Sequence, residues 1–168
     1  MQSNLILVDE NDKIIGTAEK LDAHKKGLLH RAFSILIFNS KNEILLQRRA
    51  LHKYHSGGLW TNACCSHPRI NEDLYVAIHK RLLEEMGFDC ALEKKFEFIY
   101  KIWFEKDQIF EYEYDHVFVG KYDGFVIPNS EEADEIKWIA LYDLMSDLKE
   151  NPENYTFWFK EIIAKTGW

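Results

Sequence analysis

Residues 71–88 read NEDLYVAIHKRLLEEMGF and carry the clearest structural signal in the chain. Asn71 is a typical N-cap residue, two acidic residues follow it, and Gly87 is typical of a helix C-cap. Between these ends, apolar residues recur at helical spacing and form one stripe: Leu74, Ile78, Leu82, Leu83 and Met86. We therefore predict an amphipathic helix over residues 72–86.

Strand patterns lie on both sides of this helix. Alternating or apolar runs separated by polar turns predict strands over residues 4–8, 13–18, 30–38, 43–48, 95–104, 109–120 and 136–140. Two further helices are expected, over residues 141–148 and 154–164. Strands around a central helix, with helices at the end, predict a layered α+β fold. The length of 168 residues fits a single domain over residues 1–168.

Charge and cysteine content narrow the class of protein. The chain has 21 Lys and Arg against 28 Asp and Glu, a net charge of −7, which argues against a nucleic-acid or anionic-membrane partner. Three cysteines do not make a disulfide framework, and we find neither a basic leader nor an apolar run long enough for a membrane span. We therefore expect a cytoplasmic protein with a small-molecule substrate, which can be anionic if Lys and Arg side chains converge.

A thiol and an imidazole lie two residues apart just before the predicted helix, in WTNACCSHP, residues 60–68. In an extended segment, residues i and i+2 point to the same side, so Cys65 and His67 can face one cavity. A buried thiol beside a structural histidine is the simpler interpretation of the same pattern. Other parts of the chain have to distinguish the functional interpretation from the structural one.

The predicted strand IFEYEYDHVF, residues 109–118, alternates cleanly. One face carries aromatic residues and His116 and is predicted to face the core, whereas the other carries Glu111, Glu113 and Asp115. The acidic face suits either solvent or a divalent metal, because two carboxylates one strand step apart repel each other in the absence of a cation.

Histidines can complete such a metal site. The candidates are His24 and His30, which flank one short segment, and His67 beside Cys65. Imidazole and carboxylate ligands together suit zinc, manganese or iron rather than calcium. The other histidines lack comparable neighbours in the sequence and are predicted to be surface or core residues: His52, His55, His79 and His116.

The predicted helix also resembles an altered Nudix signature, in which helix glutamates bind Mg²⁺ for hydrolysis of a diphosphate. Aligning Gly87 with the last glycine of the signature places Glu84 and Glu85 on its acidic pair. The same alignment places Ser66 on its first glycine and Arg81 on one of its glutamates. A cation there repels Mg²⁺ but can bind a phosphate oxygen, so the alteration favours holding a diphosphate over cutting it.

Together with residues 60–68 and 111–113, this pattern closely resembles the type 1 isopentenyl-diphosphate Δ-isomerase family of the Nudix superfamily. Further segments that carry the resemblance are residues 17–20, 29–34 and 46–50. The resemblance implies a Nudix-like α/β/α sandwich with a mixed β-sheet and a central Nudix-type helix. It also implies interconversion of isopentenyl and dimethylallyl diphosphate through a tertiary carbocation, in isoprenoid biosynthesis.

The resemblance further implies roles for particular residues. The implied metal ligands are His24, His30, His67, Glu111 and Glu113. That site would hold Mn²⁺, Zn²⁺ or Mg²⁺, and Glu85 matches a residue that meets a second ion, Mg²⁺, carried by the diphosphate. The implied catalytic residues are Cys65, Glu113 and Tyr100. The implied substrate-binding residues are four cations and one aromatic side chain: Lys20, Arg49, Lys53, Arg81 and Trp158.

The sequence leaves three functional hypotheses. The first is the isomerase, acting on a small diphosphate as a monomer or weak dimer. The second is a Nudix hydrolase of a nucleoside or prenyl diphosphate, against which Arg81 and the missing first glycine argue. The third is a metal- or nucleotide-binding sensor, for which Cys65 would be dispensable and His30 would not.

Overall fold

The structure, a computed structural model, describes residues 4–168. Within this range nine strands form one mixed sheet: β1 (Asn4–Val8), β2 (Ile14–Glu19), β3 (His30–Phe38), β4 (Glu43–Arg49), β5 (Trp60–Asn62), β6 (Cys64–Ser66), β7 (Leu92–Phe104), β8 (Ile109–Lys121) and β9 (Ala133–Ala140). Four α-helices accompany the sheet: α1 (Lys20–Lys26), α2 (Leu74–Met86), α3 (Leu141–Glu150) and α4 (Phe157–Thr166). The first three residues of the predicted domain lie outside the described range, and the single domain stays a prediction.

Strand β3 is the centre of the sheet. It pairs in parallel with β8, which places His30 opposite Glu113, and antiparallel with β6, which places Ser34 opposite Cys65. Antiparallel pairs join β8 to β7 and β4 to β9, so the sheet is mixed. The register of β3 with its two neighbours therefore brings an imidazole, a carboxylate and a thiol from three distant segments to one place.

Helices cover both faces of the sheet. Phe33, Ile35 and Ile37 of β3 pack with α2, whereas Leu36 belongs to a second apolar cluster with α3 and α4. Alternate residues of one strand thus serve two cores, and burial of each such side chain contributes roughly 1.5–3 kcal/mol. The predicted α+β sandwich with a mixed sheet and a central helix is confirmed. None of the helices within residues 4–168 is long and apolar enough to span a membrane.

Helix α2 begins two residues later than predicted. The predicted start at Glu72 with Asn71 as N-cap is wrong, because Asp73 is extended and its carboxylate accepts hydrogen bonds from two backbone N–H groups of the first turn. Asn71 has a φ of 62°, so it lies in a left-handed turn before the helix. Gly87 ends the helix at a φ of 75°, as its sequence position predicts.

The sequence pattern did not predict α1. Glu19 is its N-cap and accepts a hydrogen bond from the backbone N–H of Asp22, while Gly27 ends it at a φ of 62°. With 7 residues the helix is too short for its apolar periodicity to stand out. It places Lys20 and His24 one turn apart on the same side.

Helix α4 begins three residues later than the predicted 154. A 3-10 turn occupies Pro152–Asn154, and Tyr155 is extended and forms a bridge with Trp60 of β5. This bridge ties the start of α4 to the sheet. As a result Trp158 lies in the first turn of α4 and is buried.

Candidate active site

Strand β8 directs its acidic face into the protein. Glu111, Glu113 and Asp115 are 3%, 4% and 0% exposed, so the interpretation of this face as solvated is wrong. The reason is tertiary, because helix α1 packs against β8 and the side chains of His55 and His67 lie against these carboxylates. The opposite face is only partly core, with Phe118 buried and Tyr112 half-buried. Glu111 and Glu113 line a cavity of about 210 Å³.

Three histidines surround these carboxylates. Backbone carbonyls hold Nδ1 of two of them, at 3.0 Å from Phe110 to His24 and 2.9 Å from Leu28 to His30. His67 Nε2 lies 2.8 Å from Glu113 Oε1. The ring centroids of His24 and His67 lie 6.3 Å apart, and each lies 5.0 Å from the ring centroid of His30. His30 therefore lies between the other two histidines.

Burial controls the charge of this cluster. It lowers the pKa of His24 to about 4 and that of His67 to about 3, so both imidazoles are neutral at pH 7. Burial raises the pKa of Glu113, but contacts with His30 and His67 outweigh it and hold that pKa well below the usual range. Burial and the charge of Glu113 both raise the pKa of Glu111.

The cluster fits a divalent cation. Within each of two sets of side chains, the possible ligand atoms all lie within 4.8 Å of one another. The sets are His24–His30–Glu111 and His30–His67–Glu113, and they share His30. Nε2 of His30 is buried and has no hydrogen-bond partner within residues 4–168. Because Nδ1 of this ring donates to a carbonyl, Nε2 is the nitrogen that can ligate a metal ion. Imidazoles and buried carboxylates form a donor set for a transition-metal ion or Mg²⁺.

A thiol and a hydrogen-bonded carboxylate line the same cavity. Tyr100 donates a hydrogen bond of 2.7 Å from its hydroxyl to Glu113 Oε2. Cys65 Sγ lies 3.7 Å from Ser34 Oγ, which also contacts the buried Asp115 at 2.8 Å. Burial raises the pKa of the Cys65 thiol. Cys65 and His67 both line the cavity, as their spacing predicted.

Cys64 points the other way. It is fully buried in the apolar cluster beneath α2, together with Ile78 and Leu82. The two adjacent thiols therefore have different surroundings, because successive side chains of a strand alternate between faces.

Four basic residues line the cavity: Lys20, Arg49, Lys53 and Arg81. Arg49 is notable because its Nε is buried and has no hydrogen-bond partner among residues 4–168. Lys53 forms an ion pair with Glu132, and Arg81 contacts the same carboxylate at 3.4 Å. A net-acidic chain thus places four basic side chains around one cavity, which suits an anionic ligand.

Glu85 and Trp158 complete the set of predicted site residues. Glu85 is buried behind Arg81, and the Oε1 atom of Glu85 lies 2.8 Å from the Nη2 atom of Arg81. Arg81 therefore separates Glu85 from the cavity. Burial raises the pKa of Glu85 to about 7. Trp158 is 2% exposed and lines the cavity, with the guanidinium of Arg49 centred 5.2 Å from its ring.

Three further residues of the site were missed at the level of sequence. His55, predicted to be a surface or core residue without partners, has Nε2 2.8 Å from Glu111 Oε1. Tyr54 Oη lies 3.0 Å from His24 Nε2, and Glu132 joins two of the cations. All three lie on irregular segments, so no periodicity marks them, and their partners are distant in the chain.

Comparison with known proteins agrees with this geometry. A family model described as NUDIX domain matches residues 28–159. Isopentenyl-diphosphate Delta-isomerase 2 of Photorhabdus laumondii is 53% identical over 163 residues, which cover 97% of this chain and 92% of that protein. A protein of the same name from Aromatoleum aromaticum is 52% identical over 165 residues, 98% of this chain and 87% of that protein.

A solved structure supports the fold independently. The protein DR0079 of Deinococcus radiodurans superposes with a TM-score of 0.72 at 16% identity, covering 88% of this chain and 90% of the other. At this identity the likeness concerns the fold alone, whereas the two curated relatives match over nearly the whole chain. The chain therefore belongs to the isopentenyl-diphosphate Delta-isomerase family and is built on a Nudix domain.

Proposed function

We propose that the chain interconverts isopentenyl diphosphate and dimethylallyl diphosphate, as the names of its relatives indicate for them. The observation that carries the proposal is one cavity lined by the Cys65 thiol, by the Glu113 carboxylate with its Tyr100 hydroxyl, and by four basic residues. A Nudix hydrolase needs no such thiol. The arrangement supplies two proton-transfer groups and basic side chains for an anion.

The reaction needs two proton transfers. A proton adds to the terminal alkene carbon and another leaves C2, with a tertiary carbocation between the two events, so the atoms of substrate and product are the same. Glu113, held by the hydroxyl of Tyr100, exchanges the proton on one face of the substrate, and Cys65 exchanges it on the other. Because the reaction is reversible, the two groups exchange roles in the reverse direction.

Divalent metal use agrees with the Nudix family and with the His/Glu cluster. We propose that the five predicted ligands hold Mn²⁺, Zn²⁺ or Mg²⁺: His24, His30, His67, Glu111 and Glu113. When bound, such an ion supplies the positive charge that keeps both carboxylates ionised and tunes their acidity. Glu85, behind Arg81, would serve the Mg²⁺ that arrives with the diphosphate.

The remaining residues would bind the diphosphate and protect the carbocation. Lys20, Lys53 and Arg81 offer charge-assisted hydrogen bonds to phosphate oxygens. A carbocation reacts with any water that reaches it, so a closed apolar wall is needed. Trp158 is buried against the cavity, and its π face can stabilise the cation by roughly 1–2 kcal/mol.

The function is tested by incubating the purified, metal-loaded protein with isopentenyl diphosphate and Mg²⁺ in D₂O. We expect dimethylallyl diphosphate that contains deuterium, because the proton gained by the substrate comes from groups that exchange with solvent. Release of inorganic phosphate or pyrophosphate without the allylic product would support the hydrolase instead. Absence of both the product and deuterium incorporation would overturn the proposal.

Replacing Arg49 with glutamine should raise KM for isopentenyl diphosphate about 10- to 100-fold with a smaller effect on kcat. The buried Nε of Arg49, which has no hydrogen-bond partner within residues 4–168, is suited to a phosphate oxygen, and a hydrogen bond to a charged group contributes about 1.5–3 kcal/mol. Steady-state kinetics measure both constants. Arg48→Gln is the matched control, since Arg48 is half-exposed and pairs with Glu135 instead. Equal KM values for the two variants would contradict the role of Arg49.

A further inference from the structure

A tightly built loop presents His55 to the site. Between β4 and β5, Ser56 has a φ of 52° and Gly58 a φ of 81°, both in the left-handed region. A Cβ atom on Gly57 would lie 2.6 Å from the carbonyl oxygen of Leu51, so only glycine fits there. The backbone N–H of Gly58 donates to the Arg49 carbonyl at 2.8 Å. In this loop the His55 side chain turns inward and is 6% exposed.

Polar contacts flank this imidazole at both nitrogens. Nε2 lies 2.8 Å from Oε1 of Glu111, and Nδ1 lies 3.2 Å from Oγ of Ser56. The ring is stacked on Phe104 at a centroid distance of 5.3 Å and meets Trp158 edge-on at 5.8 Å. One tautomer, with the proton on Nε2, satisfies both polar contacts.

His55 is nevertheless outside both sets of metal-ligand atoms, which contain His24, His30, His67 and the two glutamates. Its Nε2 proton occupies the lone pair that a ligand would need. Glu111, by contrast, belongs to one of those sets and has a carboxylate oxygen directed at His55. The imidazole is thus placed to act through the glutamate.

We infer that His55 is a positioning residue, whose Nε2–H orients the Glu111 carboxylate for a divalent cation in the His/Glu cluster. The inference rests on the proposed metal-binding role of that cluster. Carboxylate ligands are held by such outer hydrogen bonds, and loss of one typically weakens metal affinity about 10- to 100-fold. The residue thereby sets the affinity of the site without touching the ion.

The test compares His55→Gln with His55→Met, using Mn²⁺ as the probe. The two side chains have similar length and volume, but only the glutamine amide can donate a hydrogen bond to Glu111. We expect the Mn²⁺ dissociation constant to rise at least tenfold in the Met variant and to be largely restored in the Gln variant. His52→Met is the control, since His52 lies in the same loop but is exposed, outside the cavity lining, and 3.7 Å from Glu131. Equal Mn²⁺ affinities for the Met and Gln variants would overturn the inference.

A second measurement uses the unaltered protein and covers the case in which a variant does not fold. Nitrogen NMR of the histidine rings, with and without Zn²⁺, reports which nitrogen carries the proton. We expect His55 to keep its Nε2 proton when Zn²⁺ binds, whereas loss of that proton would make His55 a ligand and overturn the inference. Neither readout needs turnover. A protein that shows both results but no isomerisation would therefore refute the proposed function alone.

Discussion

Replacing Cys65 with alanine should lower kcat for isopentenyl diphosphate by about 10³-fold. In the proposed mechanism the thiol exchanges the proton on one face of the substrate, and alanine cannot replace it in this role. The hydroxyl of Ser34 lies 3.7 Å from the sulfur. The fold should survive, because Cys65 is half-buried and the change removes one atom from the wall of a cavity. Product formation by steady-state assay, metal content after dialysis and the thermal unfolding temperature measure the three effects.

Two other cysteines provide matched controls for that variant. Cys90 is half-buried and lies outside the cavity, so Cys90→Ala should keep the wild-type kcat. Cys64 is fully buried beneath α2, so Cys64→Ala should lower the free energy of unfolding by about 1 kcal/mol with little change in kcat. A Cys65→Ala protein that turned over at the wild-type rate would refute the assignment of Cys65 as a proton-exchanging group.

Replacing Glu113 with glutamine should abolish isomerisation, with a fall in kcat of about 10³- to 10⁴-fold that added metal does not reverse. The carboxylate contacts His67 and accepts the Tyr100 hydrogen bond, so it is placed both to bind the ion and to exchange the proton. An amide can still fill the space but cannot take up or release a proton at this pH. Rates measured across a titration with Mn²⁺ separate the two roles.

Glu111→Gln is the comparison variant that separates loss of metal binding from loss of proton exchange. Glu111 lies one strand step away and belongs to the other set of ligand atoms. The variant should lose its metal on dialysis, because an anionic ligand is gone, yet recover to within about tenfold of the wild-type kcat at saturating Mn²⁺. If both variants recovered equally, Glu113 would be a metal ligand without a catalytic role.

Local sequence patterns predicted most regular elements and misplaced the ends of several, whereas the bounds of β1 and β3 match the prediction. The apolar stripe of α2 and the alternation of β8 identified these elements correctly. The start of α2 was wrong because Asn71 and Asp73 are both good N-caps, and the choice depends on the turn before the helix. Helix α1 was not predicted because it is short, although it supplies Lys20 and His24 to the site.

The roles of the predicted site residues came from the resemblance together with spacing, and they stay predictions until the variants are measured. What the structure adds is their placement. Residues carried over from separate segments lie around one cavity or directly behind it, as Glu85 does behind Arg81. Glu132 and His55 also belong to the site, but no local sequence pattern marks them. The ion pair of Glu132 with Arg81 and the contact of His55 with Glu111 arise only in the folded chain.

The sequence by itself determined which side chains share a face, because strand and helix periods are local properties of the backbone. It separated Glu111 and Glu113 from their aromatic neighbours and put Cys65 and His67 on one side. Only the tertiary structure decided that the acidic face is buried and that His55 contacts Glu111. Those outcomes depend on the parallel pairing of β3 with β8 and on one glycine-dependent loop, which are contacts between distant segments that no local period encodes.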